Sequence, residues 1–454
     1  MPGFSRMQAD TNLSLSPKPM PDTLLITDCT ILTSAASPLI PHGFLQITDG
    51  LISDMGDMGG LPQAAGAASI DACGRLLMPG LINGHNHCAM TLFRGLADDL
   101  ELMSWLNDHI FPAEAARVNA EMVYWCSKLA AAEMLLSGTT TVADGYFHAG
   151  EVARACRDAG LRAVAAHGII DFPAPGVPDP SFNVEAVEGF IDTWQGQDPL
   201  ITPAVFAHSP YTCSPATLTR AKALADRRQV RFFIHLAETR QETGMLIDPR
   251  GTSPVRHLQA LGLLDAGTVC VHSVWLDQED LDILAATGAS VVTCPQSNLK
   301  LASGTARVVE MLARGIPVGL GTDGCASNNS LDMFREMDML AKVQKLRTLD
   351  ATALPASQAL RCATTGNAAV LGLPGLGKLA VGCRADLLLL DLQAPHLTPF
   401  YNQDLLVYAA RGGDVHTVIV DGRIVVQGRK LLAFDLEETL SQVEKLARPL
   451  GRKR

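Results

Sequence analysis

The middle of the chain repeats one pattern eight times: a short apolar run that ends in glycine or a polar residue, followed by an alanine- and leucine-rich stretch of helical character. Strands that alternate with helices are typical of α/β folds, and eight such units in about 300 residues predict a (β/α)8 barrel of TIM type. A doubly wound open sheet is the alternative. The predicted strands lie in the segments LMPGLINGHNH, TTTVADG, RAVAAHGIID, ITPAVFAHSP, VRFFIHLAE, GTVCVHSV, ASVVTCPQSN and IPVGLGTDG.

Short β-branched runs with turn signals flank this middle on both sides. Asp49-Gly50 and Asp421-Gly422 are typical hairpin turns. We therefore expect a small β-sandwich domain built from both the N- and C-terminal segments. The predicted division is a loose N-terminal tail (1–22), a composite β-sandwich (23–77 plus 384–434), the barrel (78–383), and a C-terminal helix and tail (435–454).

The composition argues against several classes of partner. The formal net charge is -11, whereas nucleic-acid binders carry basic patches. No apolar run is long enough to cross a membrane. Eleven cysteines occur singly, without a C-x-x-C motif, which is typical of free thiols in a reducing compartment. We therefore expect a cytoplasmic protein that binds neither nucleic acid nor membranes.

The first predicted strand ends in His85-Asn86-His87. Residues two apart on a strand share a face, so both imidazoles can bind one metal ion. In (β/α)8 barrels the chemistry lies at the carboxyl ends of the strands. The other strand ends carry further polar side chains, which together predict a catalytic mouth: Asp144, His167, Asp171, His208, His235, Glu238, His272 and Asp323.

A mononuclear metal site needs about four ligands of suitable softness. Three imidazoles and one carboxylate are available in His85, His87, His235 and Asp323. We expect one divalent ion, with zinc as the first candidate and iron or manganese as the alternatives. A second ion would need a bridging group at mid-barrel, and the only lysine between Gly145 and His235 is Lys222, inside a predicted helix.

Glu238 and His272 are the candidate catalytic residues beside this ligand set. Glu238 follows His235 by three residues, where its carboxyl group can carry a proton from water to a leaving group. His272 ends the neighbouring strand and can hydrogen-bond the attacking water. The structural alternatives are a helix-capping glutamate and a packed histidine.

Five segments form a specific set: PGLINGHNH, HLAET, VHSVWLDQEDL, CPQSNLKLASG and GLGTDGCASNNSLDMF. As a set they resemble the amidohydrolase superfamily, in the subgroup that contains 5-methylthioadenosine/S-adenosylhomocysteine deaminases and triazine hydrolases. The resemblance runs from about Thr23 to Asp435. Two more segments, FRGLADDLELMSWLNDHIFPAEA and IDFPAPG, favour the methylthioadenosine deaminases.

The resemblance implies zinc on the four ligands above and proton transfer to a purine ring by Glu238. It also implies that His272 and Asp323 assist the attacking water. Glu114 of the FPAE motif is then expected to contact the ribose hydroxyls, His208 of AHSP to contact the substrate, and Trp105 to form a wall for the base. The family further suggests a homo-oligomer.

The resulting hypothesis is a zinc-dependent hydrolytic deaminase for an adenine nucleoside: 5′-methylthioadenosine, 5′-deoxyadenosine, adenosine or S-adenosylhomocysteine. The products are the inosine analogue and ammonia. Some relatives hold the carboxylate of S-adenosylhomocysteine with an arginine after the third strand, where this chain has His167, which favours smaller, uncharged 5′-substituents. One alternative is a hydrolase for a triazine or another aminated or halogenated heterocycle, and a second is a metal-free structural relative that acts as an interaction module.

Overall fold

The computed structural model describes residues 23–62, 67–246 and 252–450. Its strands, in chain order, are β1 (Thr23–Ile31), β2 (Ile40–Thr48), β3 (Leu51–Asp57), β4 (Ala68–Asp71), β5 (Leu76–Pro79), β6 (Leu81–Asn86), β7 (Thr139–Tyr146), β8 (Arg162–Ile169), β9 (Ile201–Ala207), β10 (Phe232–Leu236), β11 (Thr268–His272), β12 (Ser290–Thr293), β13 (Val318–Leu320), β14 (Leu387–Leu390), β15 (Val415–Val420), β16 (Arg423–Gln427) and β17 (Lys430–Leu431).

The α-helices of the same residues are α1 (Leu102–Ser104), α2 (Phe111–Arg117), α3 (Ala120–Leu136), α4 (Ala149–Ala159), α5 (Asn183–Trp194), α6 (Pro215–Arg228), α7 (Glu242–Met245), α8 (Pro254–Ala260), α9 (Gln278–Thr287), α10 (Pro295–Lys300), α11 (Val308–Ala313), α12 (Cys325–Asn328), α13 (Met333–Thr348), α14 (Ala356–Arg361), α15 (Asn367–Leu371), α16 (Leu405–Tyr408) and α17 (Leu436–Ala447). A π-helical segment, Trp105–Ile110, joins α1 and α2 into one continuous helical stretch after β6. None of the helices in the described ranges is long and apolar enough to span a lipid bilayer.

Strands β6 to β13 form the predicted barrel, which confirms the fold class. All eight are parallel and follow one another in chain order around the sheet. Each strand contains the apolar run predicted for it, because alternate residues fill the interior and face the surrounding helices. The interior is packed with apolar side chains that include Phe206, Phe233 and Val271.

The barrel closes where β13 lies beside β6. The backbone N–H of Asp323 donates to His85 O at 3.0 Å, and the Asn367 amide donates to Leu320 O at 2.7 Å. Gly319 lies against the same amide, and a Cβ at this position would come within 2.0 Å of Asn367 Oδ1. The glycine is therefore required by the close approach of the Asn367 side chain and not by its backbone dihedrals.

The remaining strands form one mixed sheet in the order β17-β16-β15-β14-β5-β1-β2-β3, with β4 paired to β1. Its two halves come from opposite ends of the chain and join where β14 runs antiparallel to β5. Leu77, Leu387 and Ile419 lie in its buried apolar cluster. The sheet thus combines N- and C-terminal strands, as expected from the sequence.

A buried ion pair fastens the sheet to the barrel. Arg162, the first residue of β8, donates to Asp386 Oδ2 from Nε at 2.8 Å and to Asp386 Oδ1 from Nη2 at 3.0 Å. Nη2 also reaches Asp421 Oδ1 at 3.0 Å, in the turn between β15 and β16. Since both members of the main pair are buried, removal of either one leaves a charge without its partner.

The predicted N-terminal tail, 1–22, lies outside the described residues, as do residues 451–454 at the other end. Helix α17 lies in the segment expected to hold the C-terminal helix and has contacts with α3. The boundaries proposed for the four segments of the chain stay predictions.

Candidate active site

Three histidines and one aspartate meet at the carboxyl ends of the barrel strands. His85 is the second-last residue of β6 and His87 lies just beyond that strand, His235 lies in β10, and Asp323 follows β13. The Nε2 atoms of His85 and His235 are 3.3 Å apart, and Asp323 Oδ1 lies 3.4 Å from Nε2 of His85 and 3.4 Å from Nε2 of His87. These four residues are the ligand set predicted from the sequence, and the structure brings them together.

The protonation states of the histidines fit a cation at this point. The Nδ1 atom of His87 is 2.6 Å from Gly145 O, which can only accept, so Nδ1 carries the hydrogen and Nε2 presents a lone pair. Burial lowers the pKa of His85 to about 4 and holds the pKa of His235 well below its usual value. Both rings are therefore neutral at pH 7 and can bind a metal ion through nitrogen.

The carboxylate of Asp323 is held from behind by two serines. Ser297 Oγ and Ser327 Oγ donate to Asp323 Oδ2 at 2.8 and 2.6 Å, which leaves Oδ1 directed at the histidines. Burial raises the pKa of Asp323, but its contact with His85 and with the other imidazoles nearby outweighs this effect and holds the pKa well below its usual value. The set of three imidazole nitrogens and one ionised carboxylate fits a zinc-type dication.

Glu238 and His272 lie side by side next to the ligand set. His272 Nε2 is 3.7 Å from Glu238 Oε2, and its Nδ1 is 2.9 Å from Asn298 Oδ1. Because the amide oxygen accepts, Nδ1 of His272 carries a hydrogen and Nε2 faces the carboxyl group of Glu238. Burial raises the pKa of the Glu238 carboxyl group. Burial lowers the pKa of His272, but the carboxylates of Glu238 and Asp323 outweigh it and raise the pKa overall.

The turn after β10 that carries Glu238 is fixed by another carboxyl group. Glu242 accepts hydrogen bonds from the backbone N–H groups of Ala237, Glu238 and Thr239 at 2.7, 2.6 and 3.0 Å. Ala237 needs this support because its φ of 51° lies in the left-handed region, which costs roughly 1–3 kcal/mol for a residue with a side chain.

A single pocket contains the candidate catalytic groups and the candidate substrate contacts. Its empty volume is about 1020 Å³ including the open mouth, and its lining includes Trp105, Glu114 and His208 together with His87 and Glu238. Most of its wall is apolar. Most of the apolar side chains come from the helical stretch 102–117 and from the loop after β8. The pocket can therefore take a flat, mainly apolar ligand with one end at the candidate metal centre.

Glu114 is a buried and His208 a half-buried polar group in this wall. Glu114 Oε1 accepts a hydrogen bond from Tyr146 Oη at 2.6 Å, and burial raises the pKa of Glu114 to about 7. His208 Nδ1 lies 2.9 Å from Thr212 Oγ1, and burial lowers the pKa of His208 to about 3. Trp105 is buried and contributes an aromatic surface.

Three strand-end residues predicted for the mouth do not line the pocket. Asp144 is buried and accepts from the backbone N–H of Cys88, and Asp171 accepts from Ser214 N at 2.7 Å at the start of α6. The ring of His167 packs against Phe190 of α5, at 6.5 Å between centroids. Side chains alternate in direction along a strand, so the prediction was wrong in expecting Asp144 of β7 and His167 of β8 to face the mouth, and Asp171 lies beyond the end of β8.

Several functional candidates were not found by sequence reasoning. Ser297, Ser327, Asn298, Glu242 and Tyr146 orient the predicted residues, and each is identified only by its partner in space. Ser297, Asn298 and Ser327 lie within the recognised motifs CPQSN and GCASN, and Glu242 lies three residues after HLAET, which was the one available signal. Tyr146 had no such signal.

Comparison with known proteins supports the same site chemistry. Residues 76–425 match the amidohydrolase family. A 5-methylthioadenosine/S-adenosylhomocysteine deaminase of Syntrophobacter fumaroxidans is 46% identical over 432 residues, which cover 94% of this chain and 98% of the relative. A protein of the same name from Syntrophus aciditrophicus is 44% identical, over 94% of this chain and 97% of its own length.

Among solved structures, an adenosine deaminase of Xanthomonas campestris with bound zinc superimposes with a TM-score of 0.90 at 35% identity, covering 95% of this chain and 99% of its own. An atrazine chlorohydrolase of Arthrobacter aurescens, also with zinc, has a TM-score of 0.86 at 24% identity, covering 93% and 100%. The second likeness concerns the fold alone.

Proposed function

The chain belongs to the amidohydrolase family, and from this premise we propose that it is a zinc-dependent hydrolytic deaminase of adenine nucleosides. The reaction adds water at C6 of the purine and releases ammonia, which leaves the inosine analogue. The observation that carries this proposal is the pocket that joins Glu238 and two of the histidine ligands, His87 and His235, at one end to the carboxyl group of Glu114 in the same wall. Relatives that carry the deaminase name over nearly their whole length support it.

His85, His87, His235 and Asp323 are the residues that would hold the ion. Bound there, a zinc-type dication lowers the pKa of water and polarises the atom under attack. The side chains must then move protons. Glu238 is suited to carry one proton of the water to the ring nitrogen and the second to the leaving ammonia, because burial raises its pKa towards the working pH.

His272 and Asp323 would orient the attacking water. His272 donates from Nδ1 to Asn298, so its Nε2 is free to interact with water on the Glu238 side. Asp323 is fixed by the two serines behind it, which leaves one oxygen for the ion and for the water. Groups that are already in place lower the cost of reorganisation in the transition state.

Glu114, His208 and Trp105 would bind the nucleoside itself. A buried carboxylate is a strong acceptor for two vicinal hydroxyl groups, and Tyr146 already fixes one oxygen of Glu114. Trp105 would lie against the base and His208 would contact the substrate through its ring, which is neutral at pH 7.

We also propose a preference for uncharged 5′-substituents. Among the described residues that line the pocket there is no lysine or arginine to pair with the carboxylate of S-adenosylhomocysteine. Phe172, Pro173 and Pro175 instead present an apolar surface in the loop after β8. His167 does not line the pocket, so the preference rests on the residues that do.

The triazine alternative has less support, because the triazine hydrolases are 23–24% identical and agree in fold only. A cytoplasmic location and a homo-oligomer stay predictions.

The test is a panel of substrates with zinc-loaded protein: adenosine, 5′-deoxyadenosine, 5′-methylthioadenosine, S-adenosylhomocysteine and melamine. Ammonia release and the absorbance change from adenine to hypoxanthine are followed together. We expect turnover of the uncharged nucleosides, with S-adenosylhomocysteine much slower. Activity on melamine without activity on any nucleoside would contradict the proposed function, and equal activity on S-adenosylhomocysteine would contradict only the preference.

A further inference from the structure

A buried carboxyl group joins the two segments that follow β12 and β13. Glu336 lies on α13 and is fully buried. Its Oε1 accepts hydrogen bonds from Gln296 Nε2 and from Asn328 Nδ2, both at 2.6 Å, and its Oε2 accepts from the backbone N–H of Gln296 at 3.3 Å. One oxygen atom is therefore bonded to both segments at once.

The first segment, α10, reaches two candidate catalytic residues directly after Gln296. Ser297 Oγ donates to Asp323 Oδ2 at 2.8 Å. Asn298 Oδ1 accepts from His272 Nδ1 at 2.9 Å. A shift of α10 would therefore move the groups that orient both residues.

The second segment, α12, also contacts the carboxylate of Asp323. Ser327, next to Asn328, donates to Asp323 Oδ2 at 2.6 Å and lies 2.9 Å from Ser297 Oγ. The other amide hydrogen of Asn328 goes to Thr322 O at 2.6 Å, in the residue before Asp323. Both α10 and α12 therefore donate a hydrogen bond to the carboxylate of Asp323.

The backbone at Asp323 and His272 needs to be held in place by its surroundings. Asp323 has a φ of 62° and His272 a φ of 68°, both in the left-handed region. A residue with a side chain stays there only where its surroundings fix it, at a cost of roughly 1–3 kcal/mol each.

We propose that Glu336 is a positioning residue that holds α10 and α12 together, and that it thereby orients Asp323 for the ion and His272 for the water. Glu336 does not line the pocket and contacts the two residues only through Gln296, Asn328 and their neighbours. The roles of Asp323 and His272 rest on the proposed function, whereas the contacts of Glu336 do not.

The experiment measures the zinc dissociation constant by chelator competition, and kcat and KM on 5′-methylthioadenosine at saturating zinc. Glu336→Ala removes the bridge, and we expect zinc affinity and kcat each to fall by about 10-fold, with KM changed less than about threefold, as for other groups that orient metal ligands. Glu336→Gln keeps an oxygen that both amides can reach. It should therefore recover zinc affinity to within about threefold of the wild type.

Gln344→Ala is the matched control. Gln344 is buried on the same helix and donates one hydrogen bond, to Ala306 O at 2.9 Å, a residue that belongs to neither α10 nor α12. We expect it to lower the melting temperature without changing zinc affinity or kcat by more than about twofold. Equal losses of zinc affinity in both alanine variants would show a general loss of stability and would overturn the proposal.

The proposal would also be overturned if Glu336→Ala keeps zinc affinity and kcat within about twofold of the wild type. If Glu336→Ala does not fold, Gln296→Ala decides, because it removes one bridging donor from a half-buried position, and unchanged zinc affinity there counts against the bridge. Zinc affinity is measured without substrate. A wild-type protein that binds zinc but deaminates no nucleoside would therefore refute the proposed function and leave this test intact.

Discussion

Replacement of Glu114 by glutamine separates a nucleoside deaminase from an enzyme for ribose-free rings. Glu114 Oε1 already accepts from Tyr146 Oη at 2.6 Å, so the rest of the carboxylate is available to the 2′- and 3′-hydroxyls. Hydrogen bonds to a charged acceptor contribute about 1.5–3 kcal/mol, which corresponds to roughly 10- to 150-fold in kcat/KM. We expect Glu114→Gln to lower kcat/KM on 5′-methylthioadenosine by that factor.

The same variant should act on the ribose contact only. With a 2′,3′-dideoxy analogue as substrate, which has no diol, the wild type and Glu114→Gln should agree within about threefold. The absorbance assay follows both substrates, and Glu188→Gln on the surface of α5 is the control for loss of one negative charge. An equal loss on both substrates, or no loss on either, would refute the role of Glu114.

The pH dependence of KM is a second test of the contact between Glu114 and the ribose hydroxyls. Burial raises the pKa of Glu114 to about 7 in the free protein. The substrate hydroxyls bind best to the ionised carboxylate, which is lost as the pH falls through that value. KM for ribonucleosides should therefore rise between pH 8 and pH 6 in the wild type, and this component of the rise should be missing from Glu114→Gln.

The other predictions concern proton transfer by Glu238, the metal ion, and the ion pair between the barrel and the mixed sheet. Glu238→Gln should lower kcat by at least about 100-fold with zinc content unchanged, as measured by elemental analysis and steady-state kinetics, because it removes the proton carrier. Chelation should abolish activity and lower the melting temperature, and added zinc should restore both. Asp386→Ala should lower the free energy of unfolding by about 3–5 kcal/mol in a denaturant titration, because it leaves Arg162 buried without its main partner. If the folded fraction of Asp386→Ala has the same kcat as the wild type, the substitution lowers stability without changing the active site.

The barrel and its four candidate ligands could be predicted because they depend on local pattern. Each strand is a short apolar run, and the place where the run ends marks the mouth of the barrel. His85 and His87 share a face for the simplest reason, a spacing of two residues on or at the end of one strand.

The supporting residues could not be predicted because they act across large separations in sequence. Glu336 bonds to Gln296 forty positions away, and Asn367 bonds to Ile82 O 285 positions away. His167 shows the converse error, since its strand was predicted correctly but its side chain faces α5 instead of the pocket. A shift of one residue in a strand reverses the direction of a side chain, and the sequence does not mark which of two neighbouring residues faces inward.

The most direct test is a zinc titration of metal-free protein with 5′-methylthioadenosine as substrate. We expect the rate of conversion to the inosine analogue to rise with added zinc and to stop rising at one zinc ion per chain, with one ammonia released per nucleoside. A metal-free protein that is already fully active, or a zinc-loaded protein that leaves the adenine ring unchanged, would contradict it.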